Sequence, residues 1–451
     1  MQIDCHYYGT YFMAYQAGFS AEDAAVIAWA AQTVDELDFN RLRILKDSKV
    51  NIPYFITTET TFRSVDDAIS STGFTKKVGD YITMLRGIWA PFHFLPGNFA
   101  AAMEDGNKVI EHTGRKQISF GHQTPYSDSI EVGLEVGNVL YTSSTGPEDL
   151  KMVCRPSTGT VREIVENAAC QYALYYKSER IKALCAIGIC MHVLADTWSH
   201  QNFAGTPSQW VNGCKLIDHD AINANYFFQT PYSARAIPNV NSPTFIGHGF
   251  AGKAPDIPGV TWIMTSELGI INRTYENRPR FLSGMLQMYD AMKYIKTKEN
   301  DPLISNEPIN SEPIYRFRTW EEIKSQCSFG SITADRCNVE EQVLYMALCV
   351  LDNYLLDNRH SDELVRVELW KEFLHNQKIS LEKYDFNRYD IVSFVDMARV
   401  HRKVVFDYLY HHAGISISLD KVDNLIKEEA ISFRYSLLQK IGEIPPMKEF
   451  F

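Results

Sequence analysis

No two cysteines in this 451-residue chain stand in a Cys-x-x-Cys pair, and the nine present are scattered and odd in number. The redox and metal motifs built on that spacing are therefore absent. Basic charge is also short. The balance of 44 Lys and Arg against 55 Asp and Glu leaves a net charge of −11 and a pI near 5.7. A protein that grips nucleic-acid backbone generally needs the opposite balance, so specific nucleic-acid binding is not expected. There is no Gly-x-Ser-x-Gly elbow, no Gly-x-Gly-x-x-Gly after a strand and no His-Glu-x-x-His, which removes the familiar serine-hydrolase, dinucleotide and zinc-peptidase signatures. Gly247–Lys253 fits the spacing of a phosphate loop, but Ala254 stands where a hydroxyl is required. Pro255 and Pro258 oppose the helix start that would cradle phosphate.

Long apolar runs are missing as well: none approaches the roughly 18 residues of a membrane span, so no transmembrane segment is expected. The N-terminal MQIDCHYYGTYFMAYQAGFS has no basic region and carries Asp4 and His6 where a secretion signal needs apolar residues. Cys185 and Cys190 sit in the apolar run IKALCAIGICMHVLAD and read as buried free thiols. A reduced, cytoplasmic protein follows, and the Asn272-Arg-Thr274 sequon carries no weight.

What is present is the composition of a folded chain: 45% hydrophobic and 12% aromatic with 22% charged residues. Periodicity predicts helices over 1–17, 20–38, 97–113, a block at 160–203, and 277–297. Four more amphipathic helices are expected over 338–357, 361–376, 388–413 and 419–441. The β-branched stretch 50–75 suggests a hairpin or irregular insertion. Residues 121–129 and 204–262 read as loop. Pro91 and Pro96 bracket His93 in a rigid non-helical turn. The class is mainly α, a multi-helical bundle with a few short strands. The proline-rich polar stretch 298–314 divides a helical metal-binding domain, 1–300, from a C-terminal helical region, 315–451, that packs on it or mediates self-association.

The chemistry concentrates in MHVLADTWSHQNFAG, residues 191–205. At about 100° per residue, His192, Asp196 and His200 fall near 0°, 40° and 80°, one face over about 12 Å of helix. A His and a carboxylate at i, i+4 chelate one ion, and His200 closes that site or starts another. Burial of an unpaired carboxylate is costly, so Asp196 requires cationic partners. A satisfied core histidine remains the alternative for each His alone. His6, Asp35 at the end of a helix, His93 in PFHFLPG and His248 in GHG supply further ligand types in segments that fix the backbone. The glycines around His248 let it and the backbone approach a ligand closely, with Asp256 turned back by the prolines. Tyr7, Tyr8, Trp89 and an exposed Trp198 are candidate walls. Imidazole with carboxylate favours Zn2+, one or two ions, with Mn2+ or Fe2+ as substitutes.

Five segments in order, MQIDCHYYGTYFMAYQAGFS, AAQTVDELD, PFHFLPG, HVLADTWSHQNFAG and GHGFAGKAPDIP, resemble an uncharacterised bacterial family over roughly residues 1–260. A more distant likeness is to the all-helical zinc-dependent phospholipase C and P1 nuclease group. His192 and Asp196 match that group's His-x-x-x-Asp helix, whereas His200 follows after four residues rather than six. The likeness implies metal-assisted hydrolysis of a small-molecule, lipid or nucleotide phosphoester, with a metal lowering the pKa of water. It carries over as metal ligands His6, Asp35, His93, His192, Asp196, His200 and His248. Asp35, Asp196 and His248 would be catalytic, with Arg155, Lys253 or Arg273 offsetting phosphate charge. Two alternatives stand beside it: a non-catalytic helical protein with a structural ion and an interaction role, and an amidase or peptidase using the same metal.

Overall fold

Ser20 ends the first turn of chain and starts the next helix, its hydroxyl accepting the Asp23 backbone N–H at 3.1 Å. The same logic recurs along the chain in a computed structural model. Thr158 caps the helix beginning at Gly159, and Asn387 and Asp390 form a reciprocal capping box at the start of the longest helix. Described here are residues 1–37, 78–99, 115–119, 131–135, 151–206, 209–212, 214–219, 246–249, 251–266, 272–300, 318–327, 339–357 and 362–427. The expected hairpin at 50–75, the helix at 97–113 beyond residue 99, the loop at 121–129, most of the 298–314 boundary and the end of the 419–441 helix lie outside them.

The chain opens with a π-helical turn, Asp4–Gly9, that runs into α1, Thr10–Gln16, and then α2, Ala21–Glu36. α3 is Val78–Phe92, and two short strands follow, β1 (Arg115–Ser119) antiparallel to β2 (Glu131–Glu135). α4 is Gly159–Tyr175, α5 Arg180–Ser199 and α6 Gln209–Asn212. β3 (Cys214–His219), β4 (Thr261–Ser266) and β5 (Asn272–Glu276) form an antiparallel sheet in the order 3-4-5. α7 spans Asn277–Thr297, followed by α8 (Trp320–Cys327), α9 (Val339–Asp357), α10 (Glu363–Asn376) and α11 (Arg388–Ala413). The fold is mainly helical, as the periodicity predicts. The expected block at 160–203 is broken at 176–179, and Pro91 sits within the last turn of α3, so the non-helical turn begins only at His93.

α5 is the central element, packed by α2, α4, α7 and α11. Every residue from Ala183 to Ser199 is buried. By length and mean hydropathy alone α5 has the size of a membrane span, yet 89% of that window is enclosed by the protein. Counting uninterrupted apolar residues overlooks it, because His192, Asp196 and the small residues interrupt the run. Gly188 explains how closely α2 approaches. A Cβ there would lie 2.4 Å from the Ile27 carbonyl oxygen and 2.6 Å from the Ala30 methyl. The glycine and the alanines of α2 let the two helices touch nearly backbone to backbone, which brings Asp35 beside His192.

One hydrophobic core runs from Met1 to Ile415, with residues of α10 and α11 included. On its α11 side, buried His401 donates Nε2–H to the Pro91 carbonyl at 2.8 Å and stacks on Phe92. Burial lowers the His401 pKa from 6.5 to about 4. The unfolded chain therefore takes up a proton below about pH 6.5 that the folded protein refuses until about pH 4. The neutral ring's contribution is fully present above pH 6.5 and is lost as the pH falls toward 4, a change on the order of 3 kcal/mol. Urea unfolding of wild type and His401→Gln across this range will show the wild type's advantage shrinking as the solution is acidified. An advantage independent of pH would contradict that assignment.

Candidate metal centre

α5 presents His192 and Asp196 on one face, and the helix ends at Ser199 with His200 as its C-cap. Trp198 is buried and donates Nε1–H to Gln287 on α7 at 3.1 Å, so it is neither exposed nor a wall of the site. Helical geometry gives the reason, since residue 198 lies about 200° around the helix from the middle of the His192–His200 arc.

Three other elements converge on that face. The π-helical turn brings His6, the end of α2 brings Asp35, and the turn after α3 brings His93. His93 Nδ1 lies 3.4 Å from Asp196 Oδ2, 3.7 Å from Asp35 Oδ1 and 3.3 Å from His192 Nε2. His192 Nε2 is 3.1 Å from Asp196 Oδ2 and 3.7 Å from Asp35 Oδ1. Donor atoms tetrahedrally placed about an ion at 2.0–2.1 Å would be roughly 3.3 Å apart, which is the spacing found. The two carboxylates turn their other oxygens to His6, whose Nε2 is 3.2 Å from Asp196 Oδ1 and 3.9 Å from Asp35 Oδ2. The rings of His6 and His192 stack at 3.8 Å.

Beyond Asp196 a further group forms at the end of α5. His200 Nε2 lies 3.1 Å from Asp256 Oδ1, and His248 Nε2 lies 3.4 Å from Asp256 Oδ2. His200 Nδ1 is 2.8 Å from the His93 carbonyl and His248 Nδ1 is 2.8 Å from the Gly252 carbonyl. A carbonyl oxygen only accepts, so each ring holds its proton on Nδ1 and turns its Nε2 lone pair toward the carboxylate. Metal-binding histidines are commonly oriented this way. Gly247 makes the approach of this loop possible: its φ is +55°, and a Cβ would meet Phe94 at 2.2 Å. Phe94 in turn stacks on His200 at 4.5 Å, and Trp89 lies against His93.

The electrostatics of the group are those of a cation site. Burial and the neighbouring His6 hold the His192 pKa well below the usual imidazole range, and burial brings His200 down to about 4. Both rings are neutral at pH 7 and have lone pairs to give. Burial acts to raise Asp196, but His200, the Met1 amino group, His192 and His6 outweigh it and keep the carboxylate ionised. Asp256 is likewise held low against burial, by His248 and the Met1 amino group first. Asp35 is raised by burial and by Asp196, against the pull of His6 and His93. The Met1 amino group lies 2.6 Å from Asp196 Oδ1 and 3.2 Å from Asp256 Oδ1, and the two aspartates together with Asp35 lift it to about 11 despite burial. Both nitrogens of His6, Nδ1 of His192 and Oδ2 of Asp196 are buried without a hydrogen-bond partner. Such atoms are expensive to leave unpaired, and a divalent ion beside His6 Nε2 or Asp196 Oδ2 would satisfy them.

The seven sequence-predicted ligands fall into three groups among the described residues that could hold a metal ion: His6, Asp35 and His192; His93, His192 and Asp196; and His200 and His248 together with Asp256. Asp256 completes the third group, although its sequence offers only an acidic residue between prolines, eight positions after His248. The Met1 amino group also had no signal in the pattern. Of the cations expected to offset phosphate, Lys253 is exposed and Arg155 bonds Asn202, while Arg273 lies in β5.

A helical protein with a buried imidazole–carboxylate centre is the class that fold and site define. The chain belongs to a family of unknown function (DUF6765), whose profile matches residues 1–409. Neither the curated proteins nor the solved structures contain a match to it.

Proposed function

We propose that this protein is a metal-dependent hydrolase of phosphoester bonds in a small-molecule, lipid or nucleotide substrate, with zinc as its ion and manganese or iron as substitutes. The single observation that carries the metal is the buried meeting of imidazole nitrogens and carboxylate oxygens around Asp196, with His192 Nε2 3.1 Å from its Oδ2 and His6 Nε2 3.2 Å from its Oδ1. The donor set is nitrogen and oxygen only, which suits these three metals. Bound there, a divalent ion supplies Lewis acidity, polarising a phosphoryl oxygen and making water nucleophilic at neutral pH.

The chain's own residues divide the remaining work. Asp196 turns one oxygen to His93 and His192 and the other to His6 and the Met1 amine, so it ties the groups together. Asp35 and His248 are the ligands with exposed side-chain surface, 27% and 18%, and substrate meets the centre on their side. Asp35, the more exposed carboxylate of the centre, orients the attacking water and accepts its proton. The likeness of the His192/Asp196 helix to the phospholipase C and P1 nuclease group supports phosphoesters over amides.

Complete burial of His6 and His192 favours a second reading, a structural ion. Activity separates the two. The purified protein is assayed against p-nitrophenyl phosphodiesters, phosphomonoesters and anilides, before and after chelation and with zinc or manganese restored. Phosphoester turnover that is lost on chelation and regained with metal supports the hydrolase. Retained metal with none of the panel hydrolysed supports the structural ion.

A further inference from the structure

The N-terminal residues that reach the centre are not held in place by the centre alone. Arg366, in the first turn of α10, is fully buried and donates Nε–H to Asp4 Oδ2 at 3.0 Å. Its Nη2 also bonds the Gln2 side-chain oxygen. The Ile3 backbone N–H meets Glu363 Oε1 of the same turn at 3.4 Å. Three consecutive residues, Gln2, Ile3 and Asp4, are therefore fastened to one turn of a helix some 360 residues away in sequence. The two groups that flank this clamp, the Met1 amine and His6 Nε2, are the ones that face Asp196 Oδ1, at 2.6 and 3.2 Å.

We propose that Arg366 is a positioning residue of the metal centre, acting through Asp4 and Gln2 to aim His6 at the ion. This rests on the metal reading above. Two physical points carry it. Among the described residues Asp4 makes no second ion pair, so without Arg366 a buried carboxylate would be left unpaired two residues before His6. The segment it holds is also a π-helical turn, a wide backbone geometry that recurs at functional sites and depends on its surroundings. Outer-shell partners of this kind set metal affinity by orienting ligands.

The test is zinc affinity, measured on the full-length protein by competition with a chromophoric chelator. Arg366→Met and Asp4→Asn are each expected to weaken zinc binding about 10- to 100-fold. The double variant should weaken it no more than the worse single, because both changes break one interaction. Arg402→Met is the control: it removes a buried arginine whose ion-pair partner, Asp423, belongs neither to the centre nor to the N-terminal clamp, and should lower the melting temperature while leaving zinc affinity within about threefold. Should Arg366→Met not fold, Asp4→Asn and Arg366→Lys are read on the same scale, the lysine variant falling between wild type and Asp4→Asn. Wild-type zinc affinity in Asp4→Asn or Arg366→Met overturns the positioning role, as does an equal loss in Arg402→Met. A wild type that binds no zinc overturns the metal reading itself, a distinct result.

Discussion

Asp196→Asn will strip the protein of most of its metal and slow phosphoester hydrolysis by a factor on the order of 10³ or more. The substitution keeps the shape of the side chain and removes its charge. Asp196 faces His6, His93, His192 and the Met1 amine through its two oxygens, so these four groups lose their shared anion at once. Removing several kcal/mol of Lewis-acid stabilisation corresponds to at least that factor in rate. His192→Ala acts in the same direction but also opens a cavity in the middle of α5, so the asparagine variant is the cleaner comparison. Element analysis and turnover of p-nitrophenyl phosphodiesters check both halves. Unchanged metal content in Asp196→Asn would remove this residue from the centre.

Chelation of the wild type is expected to lower its melting temperature by on the order of 5–10 °C, and zinc to restore it. A ligand that binds only the folded state stabilises it by RT ln(1 + [L]/Kd), about 4 kcal/mol at a thousandfold excess over Kd. In a chain of this length each kcal/mol moves the midpoint by about 2 °C or somewhat less. Three buried or part-buried carboxylates left without the ion add to the loss. Differential scanning calorimetry at matched pH measures the shift. The same addition to Asp196→Asn should move its midpoint little, and a shift equal to the wild type's would mean zinc acts elsewhere.

The part of this site readable in the sequence is the part that helical geometry or local composition dictates. His192, Asp196 and His200 share a face because of the 100° step, and α5 bears that out until its last residue. There the four-residue spacing acquires a meaning that periodicity lacks: His200 caps the helix, with Nδ1 3.7 Å from Asp196 and Nε2 turned to Asp256. His93 and His248 are legible because proline and glycine around them fix the backbone. Trp198 went astray because an aromatic among polar residues suggests exposure, while its angle on the helix sends it into α7. Asp256 and the Met1 amine depend on how distant segments fold back, which no local pattern encodes. The fold follows the same division. α7, α9, α10 and α11 fall within a residue or two of the periodicity, and α10 and α11 start at side-chain caps, Asp362 and Asn387. The π-helical turn at Asp4–Gly9 and the break at 176–179 are not marked by the hydrophobic period.

Whether these side chains hold a metal ion is tested most directly by the element content of the protein purified without chelators. Inductively coupled plasma mass spectrometry should find at least one equivalent of zinc, manganese or iron per chain, reduced to a small fraction in Asp196→Asn. Wild-type protein that carries no stoichiometric transition metal, and takes up none when zinc is supplied, would contradict the account.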